Sequence, residues 1–118
     1  MPYVDGFLLP VPKRNLAAYR RMAAEGGKIF RKHGALEFRE CVGDDLNIKG
    51  MLPFARAVRA KRGETVFFSY IVYKSRADRD RVNKKVMKDP AIEKMMTKKM
   101  PFDPKRMFCG GFKVLVEA

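Results

Sequence analysis

The 118-residue sequence contains no tryptophan, a single histidine and only two cysteines. Zinc sites need several histidines or cysteines at short spacings, and no such spacing occurs. The sequence also has no phosphate loop, no dinucleotide-binding glycine motif and no nucleophile elbow. We therefore expect neither a metal nor an organic cofactor, and the enzyme classes that carry these local motifs receive no support.

Long hydrophobic runs are absent too. No apolar segment approaches the ~20 residues that a membrane-spanning helix needs. The chain begins with a strand-like segment that contains Asp5, so no signal peptide is expected. A composition of 47% hydrophobic and 33% charged residues is typical of a soluble globular protein. We expect a cytoplasmic protein with one domain over residues 1–118 and no membrane partner.

Acidic residues are scarce, since 13 Asp and Glu accompany 26 Lys and Arg and give a net charge of +13. Such a charge attracts polyanions, including nucleic acid. The basic residues are nevertheless spread over both predicted helices and the loops, which is typical of solvated helix surfaces. Nucleic-acid binding is therefore the less favoured interpretation of the charge.

The periodicity of the hydrophobic residues predicts six segments in the order β-α-β-β-α-β. This is the order of a ferredoxin-like α+β subunit, with a four-stranded antiparallel sheet in the strand order 4-1-3-2 and two helices on one face. Pro10 and Pro12 are expected to end the first strand, because proline cannot donate to a strand ladder. The predicted strands are Tyr3–Leu9, Ala35–Val42, Thr65–Tyr73 and Met107–Val116, and the predicted helices are Lys13–His33 and Ser75–Met87.

The two cysteines fall in the second and fourth predicted strands, at opposite edges of such a sheet. Three strand spacings of ~4.8 Å place Cys41 and Cys109 about 14 Å apart. Cysteines can be bridged only when their Cα atoms lie within ~7 Å. We expect two free thiols.

The third predicted strand is apolar on both faces except at Ser69. Two helices cover only one face of a four-stranded sheet, so the other face needs a partner, and a second copy of the same sheet is the simplest one. The sequence therefore predicts a homodimer.

The segment from Gly43 to Gly63 is long and irregular for a compact domain, and loops of this length are usually functional or mobile. Two interpretations remain open. The segment is a lid over a pocket, or it is a strand extension packed on the partner subunit.

An acid–base group is one candidate site. The helix after the first strand runs back along it, so His33 at the helix end returns to the level of Tyr3 and Asp5. A hydroxyl, a carboxylate and an imidazole within reach of one another could exchange protons with a ligand. The alternative is a hydrogen-bonded cluster that only holds the helix on the sheet, and it is the more common arrangement.

A ligand-binding set is the second candidate. Glu37 and Arg39 lie on one face of the second strand, and Tyr73 ends the third strand. An ion pair in a cavity could bind a polar or anionic ligand. The alternative is an ion pair at the rim of an edge strand.

Several stretches together resemble one family, the YbaA-like bacterial proteins of unknown function (DUF1428). They occur in the family's order and with similar spacing over nearly the whole chain. The resemblance implies a dimeric α/β barrel built from ferredoxin-like subunits, and it implies no activity. The matching stretches are Tyr3–Phe7, Ala17–Tyr19, His33–Glu37, Tyr73–Ala77, Val82–Met87 with Asp89-Pro90, Met100–Asp103 and Gly110–Leu115.

Three functions remain open. The first is a dimer that binds a small polar or anionic ligand in a pocket between sheet and loop. The second is a cofactor-independent enzyme of the monooxygenase or isomerase type, because other dimeric α/β barrels include such enzymes. The third is RNA binding, although Glu64, Val66 and Ser69 occupy positions where an RNA-recognition motif needs stacking aromatic residues.

Overall fold

The computed structural model describes all residues from 1 to 118, and its main elements follow the predicted β-α-β-β-α-β order, with two further short helices. Short 3-10 turns at Lys13–Asn15 and Pro104–Arg106 precede the first helix and the last strand. The strands are β1 (Tyr3–Pro12), β2 (Glu37–Val42), β3 (Glu64–Tyr73) and β4 (Phe108–Lys113), and the helices are α1 (Leu16–Lys32), α2 (Phe54–Ala57), α3 (Arg76–Lys88) and α4 (Pro90–Met96).

The four strands form one antiparallel sheet in the order β2-β3-β1-β4. This confirms the ferredoxin-like topology. The two edge strands carry one cysteine each, and both Cys41 and Cys109 are free.

The first strand runs past its predicted end at Leu9, since β1 continues through Pro10 and ends at Pro12. Pro10 therefore does not end the strand. The nitrogen of Lys13 donates to Gly63 on the β3 side, whereas the carbonyl of Pro2 accepts from Val114 on the β4 side. Backbone groups alternate between the two neighbours along an antiparallel strand. The nitrogens of Pro10 and Pro12 therefore point away from β3, toward the β4 side of the strand. They lie beyond the pair that Leu8 forms with Phe108, where pairing with β4 has not yet begun. No ladder hydrogen bond is lost there.

The hydrophobic core lies between the sheet and the helices in two separate clusters. Burying a large aliphatic or aromatic side chain contributes about 1.5–3 kcal/mol, so these clusters hold the helices on the sheet. The first cluster contains Ile29, Ala35, Ile71, Tyr73, Val82, Val86 and Ile92, and the second contains Leu9, Val11, Tyr19, Ala23 and Phe67.

The other face of the sheet is apolar and largely uncovered. Phe108 and Phe112 are 57% and 61% exposed, and Phe68 in the adjoining part of the sheet is 47% exposed. The strand register places these rings on the face opposite α1. We refer to this surface as the open sheet face.

The segment from Gly43 to Gly63 forms the short helix α2 and no strand, so the prediction of a strand extension is wrong. Its Phe54 ring lies 6.3 Å from the Phe68 ring, and Val58 is buried. The segment therefore packs against the open sheet face beside Phe68 of β3.

Local sequence features end and begin the helices as expected. Gly34 adopts a φ of +119° directly after α1, a conformation that L residues with a side chain avoid. Ser75 caps α3 by accepting from the nitrogen of Asp78, and Asp89 caps α4 by accepting from Ala91. None of the helices combines the length and the apolar composition that a bilayer crossing requires.

Two adjacent glycines in α1 provide a test of how closely this helix approaches the sheet. A Cβ atom at Gly27 would lie 2.8 Å from the Phe38 ring, whereas one at Gly26 would lie 3.7 Å from the Met95 methyl group. Gly27→Ala should therefore lower the free energy of unfolding by about 1 kcal/mol or more through overpacking. Gly26→Ala should raise it by up to about 1 kcal/mol, because alanine favours helix over glycine. Urea denaturation of the two variants measures both effects, and equal stabilities would contradict the close contact.

Candidate ligand-binding cavity

A cavity of about 210 Å³ lies between the sheet and helices α1 and α4, at the junction of the two core clusters. Of the 17 residues that line it, 13 are hydrophobic. The aromatic and methionine side chains of its wall include Phe7, Phe30, Met95 and Phe102. Glu40 is the only carboxyl group in the wall.

The Glu40 side chain is held by two buried hydroxyl groups. The Tyr19 hydroxyl donates to Oε1 of Glu40 over 2.8 Å, and the Ser69 hydroxyl donates to the same oxygen. β2 and β3 pair Glu40 directly with Ser69, which places both side chains on the helix-covered face. No protein group donates to Oε2, so this oxygen is available to a ligand.

Burial alters the proton affinities of this group. Desolvation raises the pKa of Glu40, and the hydrogen bonds from Ser69 and Tyr19 partly oppose that rise. Burial beside this carboxyl also raises the pKa of Tyr19. Tyr19 therefore remains a hydrogen-bond donor, while Glu40 exchanges its proton at a higher pH than a solvated glutamic acid does. Such a carboxyl group can accept a proton from a ligand or donate one to it.

A wide groove runs along the outside of α1 and β2, with a volume of about 1,440 Å³. The groove and the cavity share a wall made by Tyr19, Ala23, Phe38, Arg39 and Glu40. Glu40 is therefore next to both spaces. Neither of them is lined by a residue between Gly43 and Gly63, so this segment is not the lid of either one.

Tyr3 and Asp5 lie together at the start of β1, where both face Arg79 of α3. A nitrogen of Arg79 donates to Asp5 over 2.8 Å, and the guanidinium carbon lies 4.9 Å from the centre of the Tyr3 ring. Burial raises the pKa of Asp5 despite the opposing charge of Arg79. The cluster resembles the predicted alternative, in which polar groups hold a helix on the sheet.

His33 has a different partner. Its Nε2 atom lies 2.7 Å from a carboxylate oxygen of Asp89, to which Lys32 also donates. The backbone hydrogen bond from Ala91, followed by the contact with His33, lowers the pKa of Asp89 to about 2. His33 thus fastens the end of α1 to the start of α4 and forms no hydrogen bond with Tyr3 or Asp5. An acid–base role for these three residues stays a prediction.

The residues predicted to bind a ligand do not converge. Glu37 and Arg39 form an ion pair of 3.0 Å with both side chains about half exposed, as the alternative interpretation predicts. The register puts Glu37 opposite Val72, on the open sheet face, whereas Tyr73 is fully buried beneath the helices. These side chains therefore lie on opposite faces of the sheet. No three His, Cys, Asp or Glu side chains lie close enough together to hold a metal ion.

Sequence reasoning missed Glu40, although a signal for it exists. Ser69 is the one buried polar residue of the central strand β3, and antiparallel pairing places Glu40 opposite it. A buried hydroxyl in an apolar strand needs a hydrogen-bond partner. Searching for that partner would have identified Glu40.

Solved structures with low sequence identity share the fold of this chain. A putative antibiotic biosynthesis monooxygenase from Nitrosomonas europaea superimposes with a TM-score of 0.64 at 14% identity, over 97% of this chain and 90% of the other. A dimeric ferredoxin-like protein from an uncultured marine organism gives a TM-score of 0.51 at 15% identity, over the whole of both chains. At these identities the likeness establishes the fold alone.

Sequence comparison identifies the family. The chain is 43% identical to the uncharacterised protein YbaA of Escherichia coli K12 over 117 residues, which cover 99% of each chain. The model of a family described as a protein of unknown function (DUF1428) matches residues 2–104. The chain therefore belongs to the DUF1428 family of proteins of unknown function.

Proposed function

We propose that the protein binds a small, mainly apolar organic molecule in the cavity between sheet and helices, with a proton-donating group of the ligand against Oε2 of Glu40. The observation that carries this proposal is a single carboxyl group in a mainly apolar cavity, held by Tyr19 and Ser69 so that one oxygen is free. Binding sites commonly combine an apolar wall with a few fixed polar groups in this way.

The volume of the cavity limits the size of the ligand. A dry protein cavity of about 150 Å³ accommodates benzene, and this cavity measures about 210 Å³. A ligand with one ring and a small substituent fits this space. Phenylalanine and methionine side chains in the wall favour an aromatic ring, because both make favourable contacts with ring faces or edges.

A cofactor-independent enzyme is the second candidate, and the environment of Glu40 favours it. Burial raises the pKa of Glu40, which makes its carboxylate a stronger base than a solvated one. Removing a proton from a bound phenol or carbon acid is a first step common to isomerisation and to direct reaction with oxygen. The monooxygenase described above shares this fold, and a shared fold supports an enzyme function by analogy only.

We also infer that two copies associate through the open sheet face. Exposed rings at Phe68, Phe108 and Phe112 form an apolar surface that soluble monomers rarely leave uncovered. A second copy presents the same surface and can cover it symmetrically. One fold neighbour is described as a dimeric ferredoxin-like protein, which is consistent with this inference.

Phenol and toluene are matched probes for the cavity, since they have nearly the same size and only phenol donates a hydrogen bond. We expect both to bind in ligand-observed NMR titrations, and phenol to bind more tightly. At pH 8, Glu40→Gln should weaken phenol binding about fivefold or more, because a carboxylate accepts a hydrogen bond more strongly than an amide. Toluene binding should stay within about twofold of its original value.

Glu37→Gln is the control, because it makes the same chemical change three residues before Glu40, on the opposite face of the sheet. A loss of phenol binding in both variants, or no binding of either probe, would contradict the proposed site. Oxygen consumption with conversion of phenol to a quinone and water would favour the enzyme over the simple binding protein.

The raised pKa of Glu40 predicts a particular pH dependence of stability. The folded chain holds this proton more tightly than the unfolded chain, whose glutamic acid has an ordinary pKa near 4.5. The wild-type protein should therefore lose stability relative to Glu40→Gln as the pH rises from about 4.5 through the raised pKa, and the difference should then level off. Urea denaturation between pH 4 and 8 measures it. A stability difference that does not vary with pH would show that burial does not perturb Glu40.

The proposed dimer predicts a particle of twice the 13.6 kDa chain mass in light scattering at micromolar concentration. Phe112→Glu should shift the protein toward the monomer mass, since it buries a charge in the apolar interface. Lys113→Glu is the control, because the next residue of β4 points to the other face. A wild-type particle of 13.6 kDa would rule the dimer out.

A further inference from the structure

The outer edge of β2 has no neighbouring strand. β2 pairs with β3 alone, and the nitrogen of Gly43 donates to Val66 in this ladder. Hydrogen-bonded pairs recur at every second residue of an antiparallel ladder. The backbone N–H and C=O groups of Phe38, Glu40 and Val42 therefore point outward into the groove beside α1. This edge can accept one further strand of about five residues.

The α1 side of the same groove is strongly basic. Five of its cationic side chains form neither a salt bridge nor a hydrogen bond within the chain. Arg21 and Lys28 lie about 10 Å apart along α1, and Arg14 lies seven residues before Arg21 in the preceding turn. The two acidic residues of the groove are already engaged, because Glu37 pairs with Arg39 and Glu40 accepts from Tyr19 and Ser69. The unpaired cations are Lys13, Arg14, Arg20, Arg21 and Lys28.

Charge complementarity selects the kind of partner for this groove. A second copy of this chain docked along β2 would bring two basic helices together, which like-charge repulsion opposes. A single-stranded nucleic acid would gain from aromatic residues placed among the cations. The exposed rings of Phe68, Phe108 and Phe112 instead lie on the opposite face of the sheet.

We propose that the groove binds an acidic segment of another protein in extended conformation, as a fifth strand beside β2. Main-chain hydrogen bonds to β2 fix the register of the bound segment. Side chains on one side of a strand recur every ~6.8 Å. Carboxylates at three alternate positions therefore span about 14 Å, a length that Arg21 and Lys28 on α1 and Arg14 in the preceding turn can follow. This partner site shares the wall at Phe38 and Glu40 with the ligand cavity but uses the outer edge of β2.

A fluorescein-labelled peptide of ten residues, with glutamate alternating with threonine, is the probe for fluorescence anisotropy. The triple variant Arg14→Glu, Arg21→Glu and Lys28→Glu should weaken its binding at least tenfold. The control carries Lys84→Glu, Lys85→Glu and Lys88→Glu, which changes the net charge equally on α3 and should cost less than threefold. Circular dichroism establishes that both variants are folded before they are compared.

Two further probes separate the strand-like mode from general attraction between charges. A peptide of the same sequence with N-methylated glutamates keeps its charge but cannot donate to β2, and it should bind at least fivefold more weakly. A ten-nucleotide oligothymidylate should bind more weakly than the acidic peptide. The proposal is overturned if both triple variants lose affinity equally, if the N-methylated peptide binds as well as the original, or if the oligonucleotide binds more tightly in a manner that depends on Arg14, Arg21 and Lys28.

Discussion

Helices cover only one face of the four-stranded sheet, and the hydrophobic contacts on that face hold the chain together. β3 and β1 are the central strands, and their helix-facing residues contact α1, α3 and α4 in two clusters. The capped junction at Asp89 turns the chain from α3 into α4, and α4 then covers the sheet beside α1. The extent of this helix layer determines where the cavity, the open sheet face and the groove lie.

The cavity exists because the helix layer does not pack the sheet uniformly. Gly27 lets α1 approach the ring of Phe38 closely, whereas a side chain at Gly26, one residue earlier, would only reach ordinary contact with Met95. Closely packed cores normally leave few spaces larger than a water molecule. Here a space large enough for a ring lies beside the hydrogen-bonded carboxyl group of Glu40, which is why the proposed ligand site is centred on it.

The charge of +13 is not distributed at random with respect to the sheet. Arg79 and Arg106 lie against Asp5 and Glu64 and are used within the fold. The cations along the outer side of α1 have no such partners and border the unpaired edge of β2. Edge strands that remain open usually carry charges that discourage self-association. β2 itself carries Glu37, Arg39 and Glu40, so the positive charge beside this edge comes from α1 and the turn before it. Repulsion between these cations opposes edge-to-edge pairing of two copies and agrees with the proposed acidic partner.

The order of the main elements, the sheet topology and the opposite positions of the two cysteines could all be predicted from the sequence. Hydrophobic periodicity and capping residues such as Ser75 and Asp89 act over a few residues, so they can be read directly from the chain. The local rule failed at Pro10, because the length of a different strand, β4, decided that this proline costs no hydrogen bond. The partners of the polar side chains depended on the tertiary structure. His33 contacts Asp89, Asp5 contacts Arg79, and Glu40 contacts Tyr19 and Ser69, which are 21 and 29 residues away. Strand register and helix packing decide which of many compatible residues become partners. They depend on distances between elements, and a pattern of neighbouring residues in the sequence does not give those distances.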